Sequence, residues 1–385
     1  MTLPIVPGDA RALARALVKI DSRNPALAPG APGEHACAVF LKEVLHAWGF
    51  HTDLRDAAPG RPNLVARIGM ARGGRSLMFN GHLDVVGVDG MVHPPFDGSV
   101  DADRLYGRGS ADMKGGIAAM CAAAWRAAQA GTRGEIVIAA VADEEYGSLG
   151  TRELLARGIR ADAAIVAEPT RLAIMPAHRG FVWIEVEVTG RAAHGSRWEI
   201  GVDAIRHAGL LLAELDRLDS DVLPRTTHPL LGRASIHAST IEGGIGMSTY
   251  PDRCIVRLER RSIPGETSDA VMAEVMGACA AVRARRPAFE AEVRMLVAQQ
   301  PSDVAIDAPI ALELVHALEG KGEQVRIEGM SAWTDAALLN EAGIPAICFG
   351  PGDISLAHAA EEYIPLGEID RATDVLDSLA QRWGY

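Results

Sequence analysis

Aromatic side chains are scarce in this sequence. They make up 5% of 385 residues, whereas hydrophobic residues as a whole make up 48%, so the cores must be aliphatic and alanine-rich. Cysteine is nearly as sparse. Cys37, Cys121, Cys254, Cys279 and Cys348 are odd in number, far apart and never in Cys-x-x-Cys spacing, which reads as buried free thiols. No stretch reaches the ~18 apolar residues that a membrane helix requires. Residues 1–11 lack the basic-then-apolar order of a secretory leader. Reduced thiols without such a leader lead us to expect a cytoplasmic protein. Basic charge is also short: 38 Lys and Arg stand against 50 Asp and Glu, a net charge of −12. Nucleic-acid binding needs a basic face, so that class is set aside. Small anionic substrates stay open, because local arginines can hold them.

A chain this long exceeds one ordinary core and implies two domains. Periodicity predicts helices over 10–20, 34–48 and 114–130, and strands over 63–67, 76–79, 135–142, 163–167 and 344–349; residues 24–33 and 87–109 read as loops. The last three strands are nearly uninterrupted apolar runs, as expected for strands buried on both faces. Strands alternating with helices argue for α/β layers. The middle differs. Val182, Ile184, Val186 and Val188 alternate with Trp183, Glu185, Glu187 and Thr189, the pattern of a strand with one wet face. A helix over 202–218, strands over 234–241 and 253–259, a helix over 268–282 and a strand over 289–297 complete a β-α-β-β-α-β order, the ferredoxin-like pattern. We therefore expect a larger α/β domain over 1–178 and 298–385, with a central mixed sheet flanked by helices. A ferredoxin-like α+β domain is inserted over 179–297.

Possible metal ligands stand at the ends of the apolar runs. His82 and Asp84 follow the strand at 76–79, and their two-residue spacing suits a carboxylate that orients a metal-binding imidazole from behind. Asp143, Glu144 and Glu145 follow the run at 135–142, Glu168 follows 163–167, and His358 follows 344–349 after the turn Gly350-Pro-Gly352. Asp112 lies at a loop-to-helix junction, where a helix cap is the ordinary role. Singly, each residue could be a solvated loop side chain. Jointly, they gather at what should be the carboxyl edge of one sheet, where open α/β folds bind their ligands. The adjacent pair Glu144-Glu145 is the sharpest feature. Neighbouring carboxylates repel, and a divalent cation gives them a reason: one binds the ion while the other moves a proton. Two His with three or more carboxylates suit Zn²⁺, Co²⁺ or Mn²⁺ rather than an all-oxygen Ca²⁺ cage.

Gly81-His-Leu-Asp84, Gly109-Ser-Ala-Asp112-Met-Lys-Gly-Gly116, Glu144-Glu145, Ala167-Glu168-Pro169-Thr170 and His358 resemble, in order and over nearly the whole chain, the co-catalytic metallopeptidase and deacylase family. That family includes acetylornithine deacetylase, succinyl-diaminopimelate desuccinylase, aminoacylase 1 and glutamate carboxypeptidases. The resemblance implies a catalytic domain holding two divalent ions, Zn²⁺ first and Co²⁺ or Mn²⁺ as alternatives, and a lid domain that dimerises. It implies His82, Asp112 and Glu168 on one metal and Asp112, Glu145 and His358 on the other, with Asp84 orienting His82 and Glu144 as general base. It also implies a cis peptide between Asp112 and Met113.

In the lid, Gly190-Arg-Ala-Ala-His194-Gly-Ser196 resembles the family segment whose His stabilises the oxyanion in the partner subunit's site. Arg261, three before Pro264, stands where the family binds a substrate carboxylate, with Arg260 adjacent as an alternative. Ser248 stands where many members have a substrate-contacting Asn and is shorter. Trp333, in Gly329-Met-Ser-Ala-Trp-Thr-Asp335, walls the acyl pocket or belongs to the core.

The expected activity is hydrolysis of an amide bond in an N-acyl amino acid with a free carboxylate, or a dipeptidase or carboxypeptidase reaction, by a homodimer. A metal-binding dimer without catalysis has no need of Glu144. A two-metal phosphoesterase would favour Asp, Asn and several His over this Glu-rich set.

Overall fold

The structure, a computed structural model, describes residues 5–69 and 73–384. Residues 1–4, 70–72 and 385, which fall within the expected larger domain, lie outside the described residues. The chain divides into two compact units, one of Met1–Pro176, Val304–Glu328 and Thr334–Tyr385, the other of Ala177–Asp303 and Gly329–Trp333.

The first unit is built on a mixed sheet. Its strands are β1 (His51–Ala58), β2 (Arg61–Ile68), β3 (Leu77–His82), β6 (Ile136–Val141), β7 (Ala163–Val166), β8 (Ile174–His178) and β17 (Ala346–Cys348), ordered β1-β2-β6-β3-β7-β17-β8. The last two residues of β8 belong to the second unit and pair there with β15 (Ser302–Asp303); β16 (Ile327–Met330) also pairs with β8. The four inner strands β6, β3, β7 and β17 run parallel, while β1, β2 and β8 pair antiparallel. Every residue of β3, β6, β7 and β17 is buried, which is why these segments read as apolar runs. A smaller sheet joins β4 (Val100–Asp101), β5 (Arg104–Tyr106) and β18 (Tyr363–Pro365) within the stretch expected to be loop and beyond His358.

Helices α1 (Ala10–Val18), α2 (His35–Ala47), α3 (Gly115–Gln129), α4 (Leu149–Ala156), α7 (Pro309–Gly320), α8 (Ala336–Glu341) and α9 (Leu366–Trp383) pack around the sheet. Asp9 starts α1 by accepting from Ala12 N at 3.0 Å, an ordinary N-cap. The small-residue helix α3 lies against the sheet edge: a Cβ on Gly116 would come within 2.0 Å of the Ala167 carbonyl. Glycine there lets the segment that follows Asp112 approach the segment that carries Glu168. The core is aliphatic and rich in alanine, with nine of its members in α3.

The second unit contains β9 (Gly180–Thr189), α5 (Ala204–Arg217), the two-residue strands β10 (Thr227–His228) and β11 (Gly232–Arg233), β12 (Ser235–Gly243), β13 (Arg253–Ser262), α6 (Ser268–Arg285) and β14 (Glu290–Gln299). Its four-stranded antiparallel sheet has the order β12-β13-β9-β14. Val182, Ile184, Val186 and Val188 face a core formed with α5 and α6, while Trp183, Glu185 and Glu187 stand on the wetter face. This period-two burial is what the alternating sequence pattern demands.

Candidate metal centre and active site

The parallel strands deliver the expected ligands to one edge. His82 is the last residue of β3, the Glu144-Glu145 pair follows β6, and Glu168 follows β7. His82 Nε2 lies 2.9 Å from Asp112 Oδ1. His358 Nε2 lies 3.0 Å from Glu145 Oε2 and 3.7 Å from Asp112 Oδ2. Two donor sets result, His82, Asp112 and Glu168 in one and Asp112, Glu145 and His358 in the other, each with its ligand atoms within 4.8 Å of one another. Asp112 is common to both and turns one oxygen toward each. It sits in a turn, Ser110–Lys114, that departs from helical geometry at Asp112 (φ −120, ψ 94), and the Asp112–Met113 peptide is cis.

The expected role of Asp84 needs correction. Its carboxylate stands 3.7 Å from His82 Nδ1, and the ring N–H instead donates to the Asp84 main-chain carbonyl at 2.9 Å. That bond still fixes the tautomer, leaving Nε2 as the lone-pair nitrogen for a metal. The carboxylate accepts from the backbone N–H groups of Glu144 at 3.1 Å and Glu145 at 3.2 Å and from Asn24 Nδ2 at 2.8 Å. It holds the acidic pair in place by its main chain. Behind it, Asn24 and Arg61 both donate to Asp143 Oδ1 at 3.0 Å, and Arg61 also pairs with the buried Glu34. Asp143 itself is left-handed (φ 69), a conformation uncommon outside glycine that turns the chain into the Glu144-Glu145 pair. Nothing in the sequence marks Asn24, Glu34 and Arg61 as part of the site. Their partners lie tens to hundreds of residues away, and no local spacing marks them.

Electrostatics supply the test of whether the site fits divalent cations. Burial pushes Glu168 up to about 8, with Asp112 adding to it. Burial also raises Asp84 to about 7 against the pull of His82. Glu144 is driven well above the usual carboxylate range by burial and by Glu168, Asp335 and Glu145, against the pull of His82. Burial opposes the charge on His82, yet Asp112, Glu144 and Glu168 outweigh it and hold the imidazole well above its ordinary value. The hydrogen bond that His358 donates to the Glu145 carboxylate lifts His358 to about 9. Protons thus stand in for missing positive charge. A cluster with this excess of carboxylates and two imidazoles, buried at His82, Asp112 and Glu168 and open to solvent at His358, has a donor set suited to two divalent ions that would displace those protons.

The residues expected from the second unit do not share this burial. His194 is exposed and its Nδ1 accepts from Ser196 N at 3.3 Å and contacts Ser196 Oγ at 2.8 Å, so the proton resides on Nε2. Ser248 is exposed, and its carbonyl accepts from Gly195 N at 2.8 Å. Arg260 is fully buried between Glu266 (2.7 Å) and Glu274 (3.0 Å) and is structural, which removes it as the alternative to Arg261. Arg261 pairs with Glu259 and lies over the Phe181 ring at 5.3 Å, at the edge of a cavity of about 510 Å³ that Arg179, Arg233, Ser235, Ser331 and Ala332 also line. Trp333 is 9% exposed, donates to the Gln300 carbonyl at 3.0 Å and packs edge-on against His178 and Phe181. Of its two expected roles, the structure gives it the packing one, because the indole N–H is already engaged inside the unit.

Three comparisons place this arrangement among known proteins. Acetylornithine deacetylase of Myxococcus xanthus is 33% identical over 353 residues, 88% of this chain and 89% of that protein. N-formyl-4-amino-5-aminomethyl-2-methylpyrimidine deformylase of Halalkalibacterium halodurans is 28% identical over 96% of this chain and 93% of its own length. The crystal structure of aminopeptidase PepT from Bacillus cereus superposes with a TM-score of 0.81 at 21% identity, covering 98% of this chain and 99% of that one, a likeness of fold. Fold, donor sets and relatives together define a metal-dependent hydrolase of amide bonds that uses two divalent ions. The chain belongs to peptidase family M20/M25/M40, whose profile matches residues 78–382.

Proposed function

We propose that this protein is a deacylase that cleaves the amide bond of an N-acyl amino acid with a free carboxylate. The observation that carries the reading is the placement of Glu144. It belongs to neither donor set yet feels the charges of His82, Glu168 and Glu145, its main chain is fixed by Asp84, and its surroundings raise its proton affinity, as a general base requires. The deacetylase and deformylase among its relatives both remove a small acyl group from nitrogen, which favours a deacylase over a dipeptidase or carboxypeptidase.

His82, Asp112 and Glu168 would hold one ion and Asp112, Glu145 and His358 the other, with Zn²⁺ the first choice and Co²⁺ or Mn²⁺ the alternatives for this His-carboxylate set. When bound, the ions would supply Lewis acidity, polarising the scissile carbonyl and lowering the pKa of the attacking water. Glu144 accepts that water's proton and delivers it to the leaving amine. His194, with its proton on Nε2, donates to the developing oxyanion, and Arg261 takes the substrate carboxylate through paired charge-assisted hydrogen bonds. Ser248, exposed beside the His194 segment, is a further substrate contact.

His194 acts from a second copy of the chain. The supporting feature is β12, an edge strand whose residues 237–243 are all exposed. Near it in sequence, Ile245 and Met247 are the most exposed large apolar side chains. Edges of this kind are normally blunted or covered, and a homodimer through residues 179–297 would cover it. Among the described residues no helix is long and apolar enough to cross a membrane, and all five cysteines are buried and unbridged, which favours the cytoplasm. A hydrolysis screen of N-acyl amino acids and dipeptides with metal-reconstituted protein tests the substrate class. Turnover of dipeptides alone would replace the deacylase reading with the dipeptidase one.

A further inference from the structure

Glu362 follows His358 by four residues and is 1% exposed. Its two oxygens serve four donors. Oε2 accepts from Arg108 Nη1 at 2.8 Å and from Gly109 N at 3.1 Å, and Oε1 accepts from Ala111 N at 3.0 Å and Asp112 N at 3.2 Å. All four donors belong to the stretch 108–112, which leads into the turn and includes Asp112. Arg108 is 3% exposed and reaches on to the carbonyls of Gly87 at 2.9 Å and Ala359 at 3.3 Å, so the guanidinium ties the turn to the chain on either side of the site. The Glu362 carbonyl accepts in turn from Gly107 N at 3.2 Å. Directly after it, Tyr363–Pro365 pairs with Arg104–Tyr106.

These bonds converge on the one residue that both donor sets share. Because the turn leaves helical geometry at Asp112, it cannot satisfy its own N–H groups through a helical ladder, and buried N–H groups need partners. Glu362 supplies them for Gly109, Ala111 and Asp112. We propose that Glu362 is a positioning residue of the metal centre: one buried carboxylate carries the 108–112 turn and thereby aims Asp112 Oδ1 at His82 and Asp112 Oδ2 at His358. The inference rests on the reading of Asp112 as the shared ligand. Since His358 lies on the same short segment as Glu362, a single stretch of chain sets both a ligand of the second ion and the orientation of the shared one. The role demands a carboxylate. A glutamine of the same size would present an NH₂ group to two of the four donors.

Both ions should therefore lose affinity together in the E362Q variant. Zn²⁺ is titrated into metal-free protein against a chromophoric chelator, at a temperature where far-UV circular dichroism shows the variant folded. Outer partners of metal ligands typically contribute roughly 10–100-fold in affinity, and we expect a loss of that order at each of the two ions, with partial recovery in E362D, which keeps the charge and both oxygens. A purely structural Glu362 would lower the melting temperature of the metal-free protein and leave both constants within about twofold of wild type, which overturns the proposal, as does a loss confined to one ion. Should E362Q fail to fold, R108M, which removes one donor and leaves the three backbone bonds, is titrated the same way. A smaller loss at both ions supports the proposal, and two unchanged constants overturn it. D112N run in parallel separates the two ideas. If D112N keeps both ions tightly, the shared-ligand reading is wrong; if D112N loses both while folded E362Q loses neither, only the role of Glu362 is wrong.

Discussion

The two units carry their candidate functional side chains in opposite ways. In the first, His82, Asp112 and Glu168 are nearly fully buried, and the Glu144-Glu145 main chain is braced by Asp84, Asn24, Arg61 and Glu34. In the second, His194 and Ser248 are exposed, and Arg261 rests beside an open cavity against a single carboxylate neighbour. The difference separates two tasks. Holding ions needs donors whose geometry is fixed before the ion arrives, since loose donors lose affinity. Holding a substrate, or a second subunit, needs groups left free to meet it. The first unit is preorganised, and the second is presented.

The first unit's preorganisation should serve metal above all. Removing metal with a strong chelator should abolish turnover altogether, and re-adding Zn²⁺, Co²⁺ or Mn²⁺ should restore it. A chelated protein that stays active, with metal content confirmed by atomic absorption, would end the account of the first unit. Next in size is H194A. Removing one oxyanion donor costs about 10²–10³-fold in kcat, and metal content should stay at the wild-type level because His194 belongs to neither donor set. Mixing H194A with E144Q should recover part of the activity, since a mixed dimer contains one complete site. No recovery after subunit exchange verified by mass spectrometry would confine His194 to its own chain.

Arg261 sharpens the comparison further. Losing a charge-assisted pair costs about 1.5–3 kcal/mol, or roughly ten- to a hundred-fold in kcat/KM. R261A should penalise N-acyl amino acids by that factor and their carboxamides far less. Equal losses would make Arg261 a packing residue for Phe181.

The smallest effect is on stability. Glu168 is raised to about 8 and Asp84 to about 7 in the fold, so below their unfolded values near 4 both states are protonated and nothing is lost. As pH rises from there toward 8 the unfolded chain ionises first, and the metal-free fold loses stability. His358, raised to about 9, acts in the same direction between its unfolded value near 6.5 and 9. The metal-free protein should melt at progressively lower temperature from pH 5 to pH 9, and the metal-loaded protein should not show this decline. A flat metal-free profile would contradict the electrostatic description of the centre.

Much of the first unit's site is legible in the sequence for one physical reason. Strands buried on both faces must read as apolar runs, and in a parallel sheet the residue after each run lands on the same edge, as His82, Glu144-Glu145 and Glu168 do. The bracing network is not legible. Asn24 and Glu34 lie in a loop and at a helix start, and Arg61 opens a strand, all ordinary positions for polar residues; only the fold brings them to Asp84 and Asp143. Glu362 is hidden in the same way beside the exposed Glu361. In the second unit the alternating strand β9 reveals its fold directly, but the choice between Arg260 and Arg261 needed the structure, because which of two adjacent strand residues faces inward follows from a register that neighbouring charges do not show. The strand β1 is polar along most of its length and gives no period to read. The helix α9 does carry one, in Ile369, Ala372, Leu376, Leu379 and Trp383, and was open to a fuller sequence reading.

On the proposed reading, Glu144 moves the proton while its neighbours hold the ions. That assignment is tested most directly by measuring metal content and turnover together in the E144Q variant. The account predicts two ions per chain, as in the wild type, and turnover reduced to background on every N-acyl amino acid that the wild type hydrolyses. Loss of one or both ions from E144Q, or turnover that survives the change, would contradict it.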